Sequence, residues 1–423
     1  MFAALSIPNY RLYVAGSFVS NIGTWMQRVA QDWLVLELSG GSALAVGITT
    51  GLQFLPMLVL SPYAGLIADR FDLRRILKIT QGWLALCAAV LGVMAITGVA
   101  VTWHVYLIAL LFGVGTAFDN PARQSFVSEV AGREHLPNAI GLNSAAFNAA
   151  RIVGPAVAGL VIAAFGSGWA ILSNAVTYAA FVLALLLINP AKLNIVAPTP
   201  RSKHQIRDGM AYVAGRGDIM LVLCVVFFVG TFGMNFQMTS ALMAQQEFHL
   251  GAQQYGILGT IMAVGSLAGA LIAARRRRAP RGRFVVIMAI VFALIEIVAG
   301  LMPTYWTYAA VLPVLGLAAL LTLTAANASI QLGVDPTLRG RVMAIYMMVL
   351  MGGTPIGAPT LGWVGEVFGP RWTLIGGGTL TTLGVLVSVA VLAHRQQLRI
   401  RPTLRPRPHL TVTHLTVTQR AAL

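Results

Sequence analysis

Between two long apolar stretches the chain reads Gly65-Leu66-Ile67-Ala68-Asp69-Arg70-Phe71-Asp72-Leu73-Arg74-Arg75. Residues 69–75 contain two acids and three arginines. Charge of this density is too costly to bury in hydrocarbon, so it marks a tight turn at a membrane surface. The stretch therefore predicts a membrane-spanning helix on each side of it.

The composition is that of a protein that crosses a membrane many times. Of the 423 residues, 57% are hydrophobic and only 10% are charged, and the mean hydropathy is +0.78. No soluble globular domain of this size needs such a balance. The formal net charge of +16 comes from short basic runs between apolar segments. A nucleic-acid-binding protein would present a basic face on a soluble fold, so we expect no nucleic acid partner.

The sequence shows no sign of a metal centre, a disulfide framework or ATP chemistry. Cys87 and Cys224 both fall inside apolar segments, and the seven histidines lack the spacing of metal ligands. None of the lysines follows a glycine, so no loop can cradle a phosphate. We therefore expect no metal, no cofactor and no enzyme activity. The first apolar segment, which starts near Tyr10, is too long for a cleavable signal peptide and is expected to remain as the first span.

Apolar segments of membrane-spanning length define the topology. A bilayer core about 30 Å thick needs roughly 20 apolar residues per helix. The loops between spans 2 and 3, 6 and 7, and 8 and 9 are basic, as is the tail. Because cytoplasmic loops carry the excess of arginine and lysine, both termini are predicted to be cytoplasmic, in a multi-pass protein of the inner (cytoplasmic) cell membrane. Twelve spans are predicted, at approximately 10–37, 43–68, 76–98, 103–127, 138–165, 168–189, 218–246, 252–274, 284–302, 304–330, 341–367 and 371–393.

The spans divide into two halves of six. Residues 1–189 form the first half, the proline-containing segment 190–217 is a cytoplasmic linker, and residues 218–394 form the second half. The basic tail, 395–423, is expected to be disordered and attracted to anionic lipid. A weak internal repeat supports the division, because Gly154, Gly159, Phe165, Gly166 and Trp169 recur 203 residues later as Gly357, Gly362, Phe368, Gly369 and Trp372. Parallel six-span halves related by an axis along the membrane normal occur in secondary transporters.

Span 1 has a broad polar face, which must look into water or onto a partner. We expect it to line a central cavity. Two interpretations of its charges remain open. Arg28 and Asp32 are one turn apart and could simply neutralise each other. Alternatively, Asp32 is a proton-coupling site, since a carboxyl group in low dielectric holds a proton more readily than in water. The predicted cavity residues of this span are Asn21, Thr24, Gln27 and Gln31, beside the coupling candidates Arg28 and Asp32.

Three further spans carry polar residues, and another carries an isolated acid. Asp119 and Arg123 of span 4 could be a self-satisfied pair or part of the cavity. Glu296, in the middle of span 9 with no obvious local partner, is a second proton-coupling candidate. The other predicted cavity residues are Asn120 of span 4, Asn235 and Thr239 of span 7, and Thr324 and Asn327 of span 10.

Span 5 combines glycine and proline in a way that is typical of a close helix interface. Arg151, Gly154, Pro155 and Gly159 lie within nine residues. Glycine permits close helix approach and proline kinks the helix, so we expect the two halves to pack and rock here. Routine helix packing is the alternative.

These motifs together resemble the major facilitator superfamily from Tyr10 to His394. The segments 119–124, 136–139 and 151–155 look like the branch that includes the enterobactin exporter and multidrug (macrolide-type) efflux proteins. The resemblance implies an all-α membrane protein of twelve transmembrane helices in two pseudo-symmetric six-helix halves, with spans 1, 4, 7 and 10 around the cavity. It also implies an acid in helix 1 for drug/proton antiport, and a peripheral helix 9. By resemblance a charged latch holds the halves together in the outward-facing state, formed by Gly65, Asp69, Arg70, Arg74, Arg75 and Glu129.

The leading functional hypothesis is a secondary active transporter, a proton-coupled exporter of amphipathic small molecules such as drugs or siderophore-like metabolites, working by alternating access. Its partners would be the small-molecule substrate, protons and membrane lipids, and it would act as a monomer. Two alternatives stay open: an uptake permease for a metabolite, and a non-transporting membrane sensor or scaffold.

Overall fold

The fold is helical, as expected. The computed structural model describes residues 3–194, 205–275, 280, 282–335, 338–395, 398–403 and 409–414. The helices are α1 Pro8–Leu38, α2 Ala43–Arg70, α3 Leu73–Ile96, α4 Thr102–Phe165, α5 Ser167–Leu187, α6 Gln205–Gly215, α7 Gly217–Phe228, α8 Phe236–Leu242, α9 Ala252–Ala274, α10 Gly282–Gly300, α11 Tyr305–Gly333, α12 Arg339–Gly352, α13 Thr354–Phe368 and α14 Pro370–Arg395. Short 3₁₀ turns occur at Ala3–Ser6 and Pro190–Lys192, and π-helical turns at Val229–Gly233 and Met243–Glu247.

Helix α4 makes two passes. A straight helix of its 64 residues would be about 96 Å long, three times the thickness of a bilayer core. At Gly132 the backbone adopts φ 70° and ψ 167°, a conformation open to glycine alone, and the chain turns there. The two limbs correspond to predicted spans 4 and 5.

The number of long helical segments is consistent with the twelve predicted spans. Within the described residues, ten helical segments are long and apolar enough to cross a membrane, and one of them is the two-limbed α4. Helix α1 is 31 residues long but is not among the ten, because its polar face lowers its hydropathy. Counting both limbs of α4 and adding α1 is consistent with twelve.

The segments outside the two halves contain some structure of their own. Helix α6 lies within the predicted linker, of which residues 195–204 fall outside the described part. In the tail, strands β1 Leu398–Thr403 and β2 His409–His414 pair antiparallel, from Leu398 opposite His414 to Thr403 opposite His409. This local pairing differs from the disordered tail expected from composition. For the rest of the tail, which lies outside the described residues, disorder stays a prediction.

The two halves meet along two helix pairs, α2 with α13 and the second limb of α4 with α9. A Cβ on Gly47 of α2 would lie 2.5 Å from the carbonyl oxygen of Ala358, so only glycine allows this approach. On the other side, a Cβ on Gly256 of α9 would collide with the carbonyl oxygen of Pro155. Each interface therefore depends on glycine packed against backbone.

Contacts between the halves concentrate at one membrane end. We call it the loop-40 end, because residues 39–42 connect α1 to α2 there. The opposite end, where residues 71–72 connect α2 to α3, is called the loop-71 end. At the loop-40 end the Ser42 hydroxyl donates to the Glu366 carboxylate at 3.1 Å, and the Gln246 amide donates to the Gly41 carbonyl oxygen. Near the loop-71 end, a Cβ on Gly65 would meet no atom within 4 Å. The structure is therefore closed at the loop-40 end.

Candidate functional site

Asp32 lies where the two halves touch. Its side chain is buried in α1, with 6% of its surface exposed. The hydroxyl of Tyr255, from α9 of the other half, donates to its Oδ2 atom at 3.1 Å. The ring of Tyr255 also stacks on Trp33, with centroids 6.2 Å apart. A titratable group of the first half is thus bonded directly to the second half.

Arg28 and Asp32 form no direct ion pair in this structure. Within the described residues no ion pair within 4.0 Å joins them, so the local i,i+4 pairing is not formed. The Arg28 guanidinium instead lies over the rings of Trp25, at 4.9 Å, and Phe54, at 5.7 Å, and its Nε has no hydrogen-bond partner. Arg151 of α4 lies 5.6 Å from the same Trp25 ring. Two cations therefore share one indole beside the predicted coupling acid.

Asp119 and Arg123 form the self-satisfied pair that the spacing allowed. Arg123 Nε donates to Asp119 Oδ2 at 2.7 Å. The other oxygen of Asp119 accepts from Thr80 at 2.8 Å and from Gln81 at 2.7 Å. Arg123 also donates to Ser17 of α1 at 2.9 Å. The network joins α1, α3 and α4 inside the first half, so these two charges are engaged in holding that half together.

The remaining polar residues of the first half are only partly committed to one another. Gln27 Oε1 accepts from the Asn174 amide at 2.5 Å, while its Nε2 is buried without a partner. The Thr24 hydroxyl lies 3.0 Å from the Tyr178 hydroxyl. Gln31 is buried, whereas Asn21 and Asn120 are half-buried. Helix α1 therefore has the predicted polar face, and part of that face forms hydrogen bonds within the first half.

In the second half, two predicted cavity residues line a pocket of about 280 Å³. Thr324 and Asn327 of α11 form one wall, and Tyr346, Met347 and Leu350 of α12 form the other. The residues of α12 were not predicted, because that helix has no polar stripe and its contribution is apolar surface. A wall of this composition suits an amphipathic ligand.

Asn235 and Thr239 are not in this pocket. Both are buried, and the Asn235 amide donates to the carbonyl oxygen of Thr231 at 2.8 Å. Glu296 is also buried, at 1% exposure, and packs close to Gly233. These residues surround an interruption between α7 and α8.

Two residues of the charged stretch at the loop-71 end, Asp72 and Arg74, bond within the first half. Asp72 is the N-cap of α3, where its carboxylate accepts from the backbone N–H of Arg74 at 2.8 Å. The Arg74 guanidinium donates to the carbonyl oxygen of Leu185 at 2.7 Å. In the described residues Glu129, which the resemblance assigns to the latch, forms no ion pair with Arg74 or with Arg70. Asp69, Arg70 and Arg75 are exposed.

The predicted interface motif of span 5 lies at helix contacts. A Cβ on Gly154 would be 2.5 Å from the Cβ of Trp25 in α1, within the half. A Cβ on Gly159 would be 3.0 Å from the Cα of Gln253 in α9, across the halves. Pro155 lies at the second contact as well. Its role as a hinge stays a prediction.

Several bacterial transporters resemble this chain along most of its length. It is 26% identical to the staphyloferrin A transporter of Staphylococcus aureus over 62% of this chain and 66% of the relative. It is 30% identical to the multidrug efflux pump Tap of Mycolicibacterium fortuitum over 62% of this chain and 65% of the relative. These two alignments span slightly less than two thirds of the relatives. Identity to the enterobactin exporter EntS of Escherichia coli is 22%, over 92% of this chain and 93% of the relative.

Solved structures and a family model agree on the class. The fold superposes on the nucleoside transporter NupG with a TM-score of 0.68, at 14% identity, over 90% of this chain and 98% of the other. The family model described as transmembrane secretion effector matches residues 1–416. The chain therefore belongs to the transmembrane secretion effector family, a family of major facilitator type transporters.

Proposed function

We propose that the protein is a proton-coupled exporter of amphipathic small molecules of the drug or siderophore type, which works by alternating access. The names of the relatives support export, and the pocket of mixed polar and apolar walls supports an amphipathic substrate. Because cytoplasmic loops carry the excess of arginine and lysine, we assign the loop-71 end and both termini to the cytoplasmic side of the inner membrane. The closed loop-40 end then faces outward, and the transporter acts as a monomer.

The observation that carries this proposal is the bond between Asp32 and Tyr255. It joins the two halves, and it exists only while the loop-40 end is closed. With Asp32 ionised the bond is charge-assisted, and such bonds contribute about 1.5–3 kcal/mol against about 0.5–1.5 kcal/mol for neutral ones. Protonation of Asp32 therefore weakens this bond by about 1 kcal/mol, but it also removes the larger cost of burying an ionised carboxylate.

The cost of burying an ionised Asp32 supplies the selectivity that antiport requires. An exchanger must not change state while it carries neither proton nor substrate, because such a step would uncouple the two. Closure of the loop-40 end is disfavoured for the ionised, empty carrier, because closure buries the carboxylate of Asp32. A proton on Asp32 removes this cost and allows closure.

The test measures accumulation of a macrolide and of a catecholate siderophore in cells with and without the protein, with and without a protonophore. We expect lower accumulation in cells that contain the protein, and loss of the difference with protonophore. Asp32→Asn is expected to abolish proton-driven efflux. Glu37→Gln is the matched control, since this acid on the same helix is exposed and bonds Ser167 within the first half.

Each contrary outcome rejects a different part of the proposed function. Efflux that persists with protonophore, or in Asp32→Asn, rejects proton coupling through this residue. Saturable uptake without efflux in vesicles favours the permease. No transport of any candidate by purified protein in vesicles supports a sensor or scaffold.

A further inference from the structure

Glu296 in the middle of α10 has no partner for its charge. It is 1% exposed, and its Oε2 atom has no hydrogen-bond donor. Within the described residues it takes part in no ion pair. An ionised carboxylate in such surroundings costs several kcal/mol, whereas the polar side chains around Asp119 show that this fold can satisfy a buried acid. The isolation of Glu296 therefore needs an explanation.

The helix that faces Glu296 is interrupted at the same level. Helix α7 passes into the π-helical turn Val229–Gly233, and then Met234 (φ −95°, ψ 23°) and Asn235 (φ −94°, ψ 29°) leave the helical conformation. Carbonyl oxygens at such an end lack intrahelical donors and carry partial negative charge. The Oδ1 atom of Asn235 is also buried without a partner. The Asn235 amide donates to the Thr231 carbonyl oxygen at 2.8 Å and only at 3.4 Å to that of Phe232. The interruption thus presents two oxygen acceptors, the Phe232 carbonyl oxygen and Asn235 Oδ1.

Glycine brings these oxygens and the carboxylate together. The Cβ position of Gly377 in α14 is 2.8 Å from the carbonyl oxygen of Phe232 and 3.0 Å from Glu296 Oε1, so both oxygens lie within 3.0 Å of one point. The Cβ position of Gly233 is 3.4 Å from Glu296 Oε2. The carboxylate therefore packs directly against the helix interruption.

None of the charged groups on the neighbouring helices supplies the missing positive charge. Helix α11 contributes Tyr308, which interacts electrostatically with Glu296 and whose hydroxyl lies 3.2 Å from the Ser240 hydroxyl of α8. Arg371 of α14 pairs with Glu247 at 2.8 Å, at the loop-40 end. At the level of Glu296, α14 presents Gly377. Among the described residues no cationic side chain bonds Glu296, so its counter-charge must come from solution.

We infer that the second half contains a cation site, the Glu296 site, formed by the Glu296 carboxylate, the Phe232 carbonyl oxygen and the Asn235 side chain. Its occupant carries a single positive charge and is either a proton or a sodium ion. A proton neutralises the carboxylate, and a sodium ion takes the same oxygens as ligands. Interrupted helices provide oxygen ligands for both cations in secondary transporters.

Occupancy of the Glu296 site is linked to the interface between the halves. Thr231, next to Phe232, packs against Gly353 and Gly357, at the bend between α12 and α13, so closely that neither glycine could carry a Cβ. Helix α13 in turn forms the interface with α2. A cation that changes the shape of the interruption therefore shifts the helix on which closure of the loop-40 end depends. Asp32 lies in the other half and contributes no atom to the Glu296 site.

The test uses purified full-length protein and the variant Glu296→Gln, which has the size of the protonated acid but cannot ionise. In the sodium arm, thermal unfolding is followed as NaCl replaces choline chloride at constant ionic strength. A sodium site gives a saturable rise of Tm by a few degrees in the native chain and none in the variant. In the proton arm, infrared spectra of the native chain contain the carbonyl band of a protonated carboxylic acid, and the variant lacks it.

Either signal, lost in Glu296→Gln, supports the site and identifies its occupant. The absence of both signals overturns it, because Glu296 would then be ionised and without a cation. Glu247→Gln is the matched control in the same half, and a signal lost there as well would also overturn the assignment. If Glu296→Gln does not fold, Glu296→Leu removes the charge while filling the same apolar surroundings. Both readouts are binding measurements, so a failure of proton-driven export through Asp32 leaves their result unchanged.

Discussion

Replacing Gly47 by alanine tests whether close contact of α2 with α13 holds the loop-40 end closed. The new Cβ would lie 2.5 Å from the carbonyl oxygen of Ala358 and 3.1 Å from the Cα of Gly362. Both are backbone atoms and cannot rotate away, so the helices must separate. We expect Gly47→Ala to disfavour the closed state and to leave the state that is open at the loop-40 end unaffected.

The size of the effect follows from which state bears the cost. Over-packing a close contact costs about 1–3 kcal/mol. The gain in helix propensity from glycine to alanine, about 1 kcal/mol, applies to both states, because α2 is helical in each, and it cancels. A difference of about 1–3 kcal/mol changes the ratio of open to closed molecules by about 5- to 150-fold.

The assay is a distance measurement by pulsed electron paramagnetic resonance. Spin labels at Val99→Cys and Leu301→Cys lie on exposed loops at the loop-40 end, one on each half. The native thiols, Cys87 and Cys224, are first replaced by serine. We expect a second, longer distance to appear in Gly47→Ala and to dominate at the upper end of the range.

Gly82→Ala is the matched control. It makes the same chemical change in α3, where the new Cβ meets no atom within 4 Å. Its distance distribution should equal that of the native chain. The reasoning is refuted if Gly47→Ala and Gly82→Ala give the same distribution, because packing of α2 against α13 would then not determine closure.

Three further predictions concern the first half. Arg123→Ala leaves the buried Asp119 without its cation. It should lower the free energy of unfolding by about 3 kcal/mol, the low end of the range for breaking a buried pair, since two hydrogen bonds to Asp119 remain. Thermal unfolding checks this. Gly132→Ala forces a side chain into a glycine-only conformation and should cost about 1–3 kcal/mol in the same assay. Asp69→Asn should increase the population closed at the loop-40 end, as measured with the spin labels, because Asp69 belongs to the predicted latch of the outward-facing state. Asp72→Asn is its control. It should weaken the start of α3 without changing that population, because Asp72 caps the helix.

The internal repeat, which supported the division into halves, coincides with equivalent helix contacts in the two halves. Gly154 packs on α1, and its repeat Gly357 packs on Thr231, next to α7, which begins the second half. Gly159 packs on the start of α9, and its repeat Gly362 packs on the start of α2. Equivalent glycines therefore make equivalent contacts. The repeat carries this information because a glycine required for close approach cannot be replaced without moving a helix.

The partner of Asp32 was beyond the reach of the sequence. Spacing along α1 offered Arg28, one turn away, as one of two open interpretations, but the structure provides Tyr255, 223 residues further along the chain. The periodicity of a helix shows which residues share a face, and it contains nothing about the residue of another helix that opposes them. The same limit hid Tyr346 and Met347, which line the pocket from a helix without a polar stripe.

The interruption between α7 and α8 was missed for a different reason. It contains no proline, so the usual sequence signal of a broken helix is absent. Asn235 was read as a cavity residue because its type and position fit a polar face. The structure instead uses its amide to satisfy the carbonyl oxygens of Thr231 and Phe232. Asparagine can line a cavity, and it can also bond to backbone carbonyl oxygens at a helix interruption. The neighbouring Gly230 and Gly233, which pack against Leu350 and Phe292, indicate the second role.

Packing and charge have separate tasks in closure of the loop-40 end. Glycine contacts such as that of Gly47 with Ala358 bring the halves close, but they do not change with proton or substrate. The hydrogen bond of 3.1 Å between Asp32 and Tyr255 does change, and it can form only because the glycine contacts hold α1 and α9 at this separation. A substitution at the glycines should therefore shift the conformational equilibrium at every pH by the same factor. A substitution of Asp32 should instead remove the part of the pH dependence that this residue contributes.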